Sequence, residues 1–392
     1  MKNHNCRSIA LAMLLSVALH AERAAADETP LKVDSGTHWT EVAQLPECHS
    51  LGWVRANVQT KDTASWNGVL DEAKWGTPSP EQAVARNWDW KVSDEQWREA
   101  VAQKSEGPRE EVRFDFWLPD DVAVVRGVVV ISGHGSGEHL FKRQDLRALA
   151  AEHRLALFKF VGNPMQRGFW PQTLLLDRLA AFGEKCGHSE LAYAPLFLYG
   201  HSNGTGFSAV FPSYLPQRVW GWVSMRPGTT FQAYQPAAAQ VPGLVIFGED
   251  DHFLARPSRE ENLAVVPAMR KNHGAVWNFA VEPKTGHGPG EKTWPLVFSF
   301  LRHTLAARVP AEADARRGAV KLKTLSVEQG YLGGNWDSTR GGYQTLPTAP
   351  YAEFEGDKST ASWLINAAYA ADWQAFQRDG HVTAKTTTRN SE

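Results

Sequence analysis

The chain of 392 residues is long enough for one domain of roughly 250 residues with decorations, or for two ordinary domains. Forty-one basic side chains against forty-three acidic ones leave a formal net charge of -2. Nothing in that balance suggests a nucleic-acid or anionic-membrane partner, and a substrate need not be strongly charged.

In chain order, the first element is a targeting segment. Lys2 and Arg7 lie near the start, residues 9–21 are largely apolar, and Ala24-Ala25-Ala26 supplies the small-residue cleavage pattern. About thirteen apolar residues fall short of the roughly 20 that span a bilayer, so cleavage after Ala26 is expected. The product is then secreted or periplasmic, with no membrane attachment after processing. Two cysteines remain, Cys48 and Cys186. In an oxidising compartment a disulfide between them is expected, although spacing alone leaves two unpaired thiols open.

Residues 27–109 read as an N-terminal extension of loops and a helical stretch bearing Trp88, Trp90 and Trp97. From about residue 110 to 308 the pattern becomes regular. Short β-branched and aromatic runs at 112–117, 127–132, 156–161, 196–200, 219–225, 243–248 and 277–281 predict strands. Amphipathic stretches at 142–152, 171–186, 204–214, 259–272 and 294–305 predict the helices between them. Such alternation predicts an α/β fold with a mostly parallel, doubly wound sheet. Residues 310–317 are the candidate connection, and 309–392 is a C-terminal region rich in Gly, Trp and Tyr.

Five loops of this core carry candidate chemistry. After the third strand run, Trp170 in Gly168-Phe169-Trp170-Pro171 is placed for substrate contact. After the run at 196–200 comes Gly200-His201-Ser202-Asn203-Gly204, a G-x-S-x-G match in the strand-turn-helix context that the motif needs. A serine hydroxyl is a poor nucleophile at neutral pH, so a base must take its proton and a third group must orient that base. Glu249-Asp250-Asp251-His252 follows the strand at 243–248 and offers the acid. Asp251 is preferred there, with Asp250 and Glu249 as rivals. Thr285-Gly286-His287-Gly288 follows the last strand and offers the base. The order Ser202, Asp251, His287, each after its own strand, raises the odds more than the elbow motif does alone.

An oxyanion also needs two backbone N–H donors. The Asn203 amide is one candidate, and Gly135 or Ser136 in Gly133-His134-Gly135-Ser136-Gly137 is the other. His134 and His201 join Trp170 as candidate substrate contacts. A metal site built on His134, Glu138 and His139 has no recognisable further ligand spacing, so no metal is expected.

On these motifs residues 110–305 resemble the α/β-hydrolase superfamily, with the HGSG loop, GHSNG elbow, GEDD loop and TGHG loop in the places of its oxyanion, nucleophile, acid and base motifs. Within it the chain resembles secreted esterases of the polyhydroxyalkanoate-depolymerase, feruloyl-esterase and acetyl-esterase kind. That resemblance implies a serine carboxylic-ester hydrolase without metal or organic cofactor. Its substrates would be polysaccharide-linked esters or polyesters. A serine peptidase of the prolyl-oligopeptidase type uses the same fold and triad, but no propeller-like repeats precede the core. A non-catalytic binding protein on this fold is the third reading. Trp336, Tyr343 and Tyr351 in the C-terminal region would then be either a contact surface or cover for the sheet.

Overall fold

The computed structural model describes residues 36–44, 111–161, 172–213, 215–227, 236–255 and 258–382. Eight strands form one sheet: β1 (Gly36–Gln44), β2 (Glu111–Pro119), β3 (Gly127–Ser132), β4 (Leu155–Val161), β5 (Leu196–Ser202), β6 (Val219–Pro227), β7 (Gly243–Gly248) and β8 (Trp277–Glu282). Their order is β1-β2-β4-β3-β5-β6-β7-β8. The first two strands run antiparallel to their neighbours, and the remaining six run parallel.

Sequence explains this layering. Every residue of β3, β5, β7 and β8 is buried, and runs such as Val128-Val129-Val130-Ile131 are apolar on both faces. Strands of that kind need helices on each side. Those helices are α1 (Gly137–Lys142), α2 (Gln144–Glu152), α3 (Gln172–Cys186), α4 (Thr205–Val210), α5 (Arg259–His273) and α6 (Thr293–Arg308). In α2, Leu146, Leu149 and Ala150 make the inward stripe at helical spacing. The start of α5 is set by Ser258, whose hydroxyl accepts the Glu261 N–H at 3.1 Å, and its end by Gly274 at φ 59°.

Two flanking expectations change. Residues 36–44 form an edge strand instead of a loop, because Gly-Thr-His-Trp-Thr-Glu-Val is rich in strand formers and pairs in full register with β2. The tryptophans at 88, 90 and 97 lie outside the described residues, as does Cys48. Cys186 carries a free thiol. The expected Cys48–Cys186 disulfide is therefore absent at its described end, where Sγ instead faces the Gly183 carbonyl at 3.9 Å. The connection at 310–317 is a single 3-10 turn, Ala315–Arg317, capped by Asp314.

The C-terminal region folds onto the outer edge of β8. Three short strands, β9 (Tyr331–Gly333), β10 (Thr348–Pro350) and β11 (Ser362–Leu364), make a small antiparallel sheet in the order β10-β9-β11, and α7 (Ala367–Asp379) follows. An open edge strand presents unpaired backbone groups. Here side chains take their place. Ser362 Oγ accepts the Phe279 N–H at 3.3 Å, and Trp373 Nε1 donates to the Phe279 carbonyl at 2.9 Å. The Gln377 amide both accepts from Val281 N–H at 3.4 Å and donates to the Val281 carbonyl at 3.1 Å. Trp336 is buried with its indole N–H on the Gly342 carbonyl, so it packs the cap, whereas Tyr343 is exposed.

Candidate active site

The loops that follow β3, β5, β7 and β8 meet at the carboxyl ends of the parallel strands, beside β3, where the strand order reverses. Open α/β sheets place their ligands at such a crevice.

Ser202 is the last residue of β5 and sits at φ 55°. A left-handed backbone costs a non-glycine residue roughly 1–2 kcal/mol, so this serine is held there by its surroundings. Gly200 and Gly204 make the turn possible. A Cβ on Gly200 would run into the Gly204 carbonyl, and one on Gly204 would lie 2.6 Å from Ser132 Oγ. Thr205 then closes the turn by donating its hydroxyl to the Ser202 carbonyl at 2.6 Å.

Asp251 and His287 meet across the next two loops. His287 Nδ1 donates to Asp251 Oδ2 at 2.9 Å. Asp251 is buried, and its other oxygen accepts the Phe253 N–H at 2.9 Å. The two rival acids point elsewhere. Asp250 is exposed, and Glu249 turns to the C-terminal region, accepting the Gly342 N–H at 2.8 Å. A one-residue step around the turn thus decides which carboxylate faces the imidazole. The His287 ring lies 4.6 Å from Phe253 and 5.0 Å from His201, centroid to centroid. Its Nε2 is buried and has no hydrogen-bond partner among the described residues. With Nδ1 donating to the carboxylate, that free nitrogen is the one that can accept a proton.

Two expected roles are corrected. The Ser136 amide donates to His201 Nδ1 at 2.7 Å, so it is not open to an oxyanion. Gly133 N–H goes to the Phe160 carbonyl and Gly137 N–H to the His134 carbonyl. Of the two candidates for the second donor, Gly135 is therefore the one that remains. His201 is buried with its second nitrogen 2.8 Å from the His287 carbonyl, so it is a scaffold group and not a substrate contact. Burial, reinforced by the neighbouring His287, Arg226 and His134, pushes its pKa down to about 4, although the His287 carbonyl opposes the shift. Trp170 lies outside the described residues. Asn203 stands directly after Ser202, at the mouth of the elbow, and His134 is half-buried on the loop above β3.

Charged residues buried behind the site were not anticipated. Arg226, at the end of β6 with φ 48°, is fully buried and ion-paired to Glu282 at the end of β8. Burial lowers the Arg226 pKa, and Glu282 opposes that. Glu282 also accepts the Gly290 N–H at 3.2 Å and the Thr293 hydroxyl, so it pins both ends of the loop that carries His287. On the other side, Lys159 of β4 is buried against Asp115 at 2.9 Å and Glu138. For Glu138, burial would raise the pKa, but Lys159 and Lys142 outweigh it and hold it at about 2. This pair fixes α1 and the loop before it. The sequence signal was a single charge inside an apolar run, as in Leu-Ala-Leu-Phe-Lys-Phe-Val. Glu138 is thereby committed to cations, and His139 faces Glu291 at 3.9 Å. Among the described residues no three His, Cys, Asp or Glu side chains gather as metal ligands.

A sheet of this order and direction, with a serine elbow after β5, an acid after β7 and a histidine after β8, defines the α/β-hydrolase fold. No family model and no curated protein matches the sequence. Solved structures similar to it include a poly(3-hydroxybutyrate) depolymerase from Bordetella parapertussis, at 17% identity and TM-score 0.36 over 53% of this chain and 90% of that one. A ferulic acid esterase is 13% identical with TM-score 0.35 over 50% and 89% of the two chains. A serine hydrolase without a lid from Xanthomonas campestris is 18% identical with TM-score 0.36 over 52% and 92%. The fold assignment rests on strand order and direction, independently of these scores.

Proposed function

We propose that the chain is an exported serine hydrolase that cleaves carboxylic esters through an acyl-Ser202 intermediate. The observation that carries this reading is the Asp251–His287 hydrogen bond of 2.9 Å, which leaves His287 Nε2 without a partner among the described residues, at the end of the sheet where Ser202 is held in a strained turn.

In the cycle, His287 Nε2 takes the Ser202 proton as Oγ attacks the carbonyl carbon, and Asp251 stabilises the imidazolium and keeps its orientation. The amides of Asn203 and Gly135 stabilise the oxyanion, each donor worth roughly 3 kcal/mol in other enzymes. Collapse breaks the bond to the alkoxide, which leaves with the proton from Nε2. Water then gives a proton to Nε2 and attacks the acyl carbon; the acyl–Oγ bond breaks, Oγ takes the proton back from Nε2, and the carboxylic acid leaves. Lys2, Arg7, the apolar run 9–21 and Ala24–Ala26 support export with cleavage after Ala26, and polysaccharide-linked esters or polyesters are the proposed substrates.

A panel of short-chain and aryl acyl esters against peptide amides tests the reading. Turnover of esters, abolished in Ser202→Ala, is expected. Amide cleavage exceeding ester cleavage, or full ester activity in the alanine variant, would overturn it.

A further inference from the structure

We propose that His201 is a positioning residue whose neutral imidazole ties the loop after β3 to the loop after β8, setting the base and the oxyanion loop in register around Ser202. This rests on the esterase reading above and deepens it.

The two contacts fix the tautomer. An amide N–H from Ser136 at 2.7 Å requires a bare Nδ1, and a carbonyl acceptor on His287 at 2.8 Å requires a proton on Nε2. Only the neutral Nε2–H form satisfies both. Protonation would set Nδ1–H against the Ser136 N–H, two donors face to face in a buried place.

Three further observations agree. Gly135 stands at φ 60°, and a Cβ there would fall on the His201 ring, so the β3 loop is shaped around the imidazole. Ser136 is also held by its hydroxyl, 2.7 Å from that of buried Tyr199. The ionisable groups facing His201 are His287, Arg226 and His134, all of which disfavour a positive charge on it. The clamp is therefore built to stay neutral, and its acid-labile point lies near pH 4.

His201 touches the backbone of the base and not the substrate, so its removal is expected to lower kcat and leave KM nearly unchanged. The test compares wild type, His201→Phe and His201→Gln on one small ester. Rates are normalised to active sites counted by fluorophosphonate titration, so that unfolded protein does not contribute. His201→Phe keeps the ring volume without either hydrogen bond and should lose about 10- to 100-fold in kcat, as expected for losing about 1.4–2.7 kcal/mol of alignment. His201→Gln offers one acceptor and one donor and should recover most of the loss. It should also lack the additional proton-linked fall in kcat expected of wild type below about pH 5. Unchanged kcat in His201→Phe, or a loss carried by KM, would overturn the clamp while leaving the esterase reading intact. Equal losses in the Phe and Gln variants with unaltered acid limbs would also overturn it. A wild type that neither titrates with fluorophosphonate nor turns over ester would overturn both.

Discussion

Along the outer edge of β8 the C-terminal region gives a partner to each backbone group of Phe279 and Val281, using Ser362, Trp373 and Gln377. Around Ser202, at the carboxyl ends of the same strands, polar atoms lack partners among the described residues and the backbone is strained: His287 Nε2 and Ser132 Oγ are buried with no such partner, and Ser202 and Arg226 have positive φ. Folded proteins satisfy buried polar groups, and the exceptions concentrate where chemistry occurs. The two regions therefore predict opposite mutational behaviour. Changes at the rim should remove activity and spare stability, and changes at the cap should do the reverse.

The largest effect tests the rim. Asp251→Asn removes the acceptor that orients His287 and should lower kcat on the order of 10⁴-fold, with Asp250→Asn changing it little. Similar kinetics for the two variants would mean that the buried carboxylate is not the orienting group. Next comes a rim residue that does contribute to stability. The neutral His201, with a pKa of about 4 against 6.5 for the free side chain, favours the fold fully above pH 6.5. Its contribution is lost as pH falls from 6.5 through 4, amounting to about 3 kcal/mol. Urea unfolding at pH 7 and pH 4 should show wild type losing that much more than His201→Gln, and equal losses would contradict the assigned tautomer.

At the cap, Gln377→Leu leaves the Val281 N–H and carbonyl without their partners and should cost about 2 kcal/mol of stability. Active-site-normalised kcat should stay within about twofold, since chemistry lies at the other end of the strand. A fall in kcat without a fall in melting temperature would join the two regions functionally and break the comparison. The smallest effect concerns strain alone. Ser202→Gly should be more stable than Ser202→Ala by about 1 kcal/mol, because only glycine adopts φ 55° without cost. Equal melting temperatures for these two inactive variants would argue against stored strain at the elbow.

Much of this architecture was legible because central strands declare themselves by being apolar on both faces, as in Gly243-Leu244-Val245-Ile246-Phe247-Gly248. The serine and the histidine followed from their places after such strands. Choosing between Asp250 and Asp251 needed the turn geometry, since neighbouring residues there face opposite ways. The Ser136 amide was expected at the oxyanion because the loop is glycine-rich. Its orientation is set by an imidazole 65 residues away, and no local pattern carries that information. In the C-terminal region the helix signals were present: Asn366 as cap, Tyr369, Trp373 and Phe376 on one face, and Gly380 at the end. The abundance of aromatic and glycine residues left a contact surface and cover for the sheet both open, and burial of Trp336 and Trp373 decides for cover at those two positions.

The central claim is that Ser202 is the nucleophile activated by the Asp251–His287 pair, and covalent labelling with a fluorophosphonate followed by peptide mapping tests it most directly. One adduct per chain is expected, on Ser202, absent from Ser202→Ala and formed far more slowly in Asp251→Asn. An unlabelled wild-type protein, or an adduct on a residue other than Ser202, would contradict it.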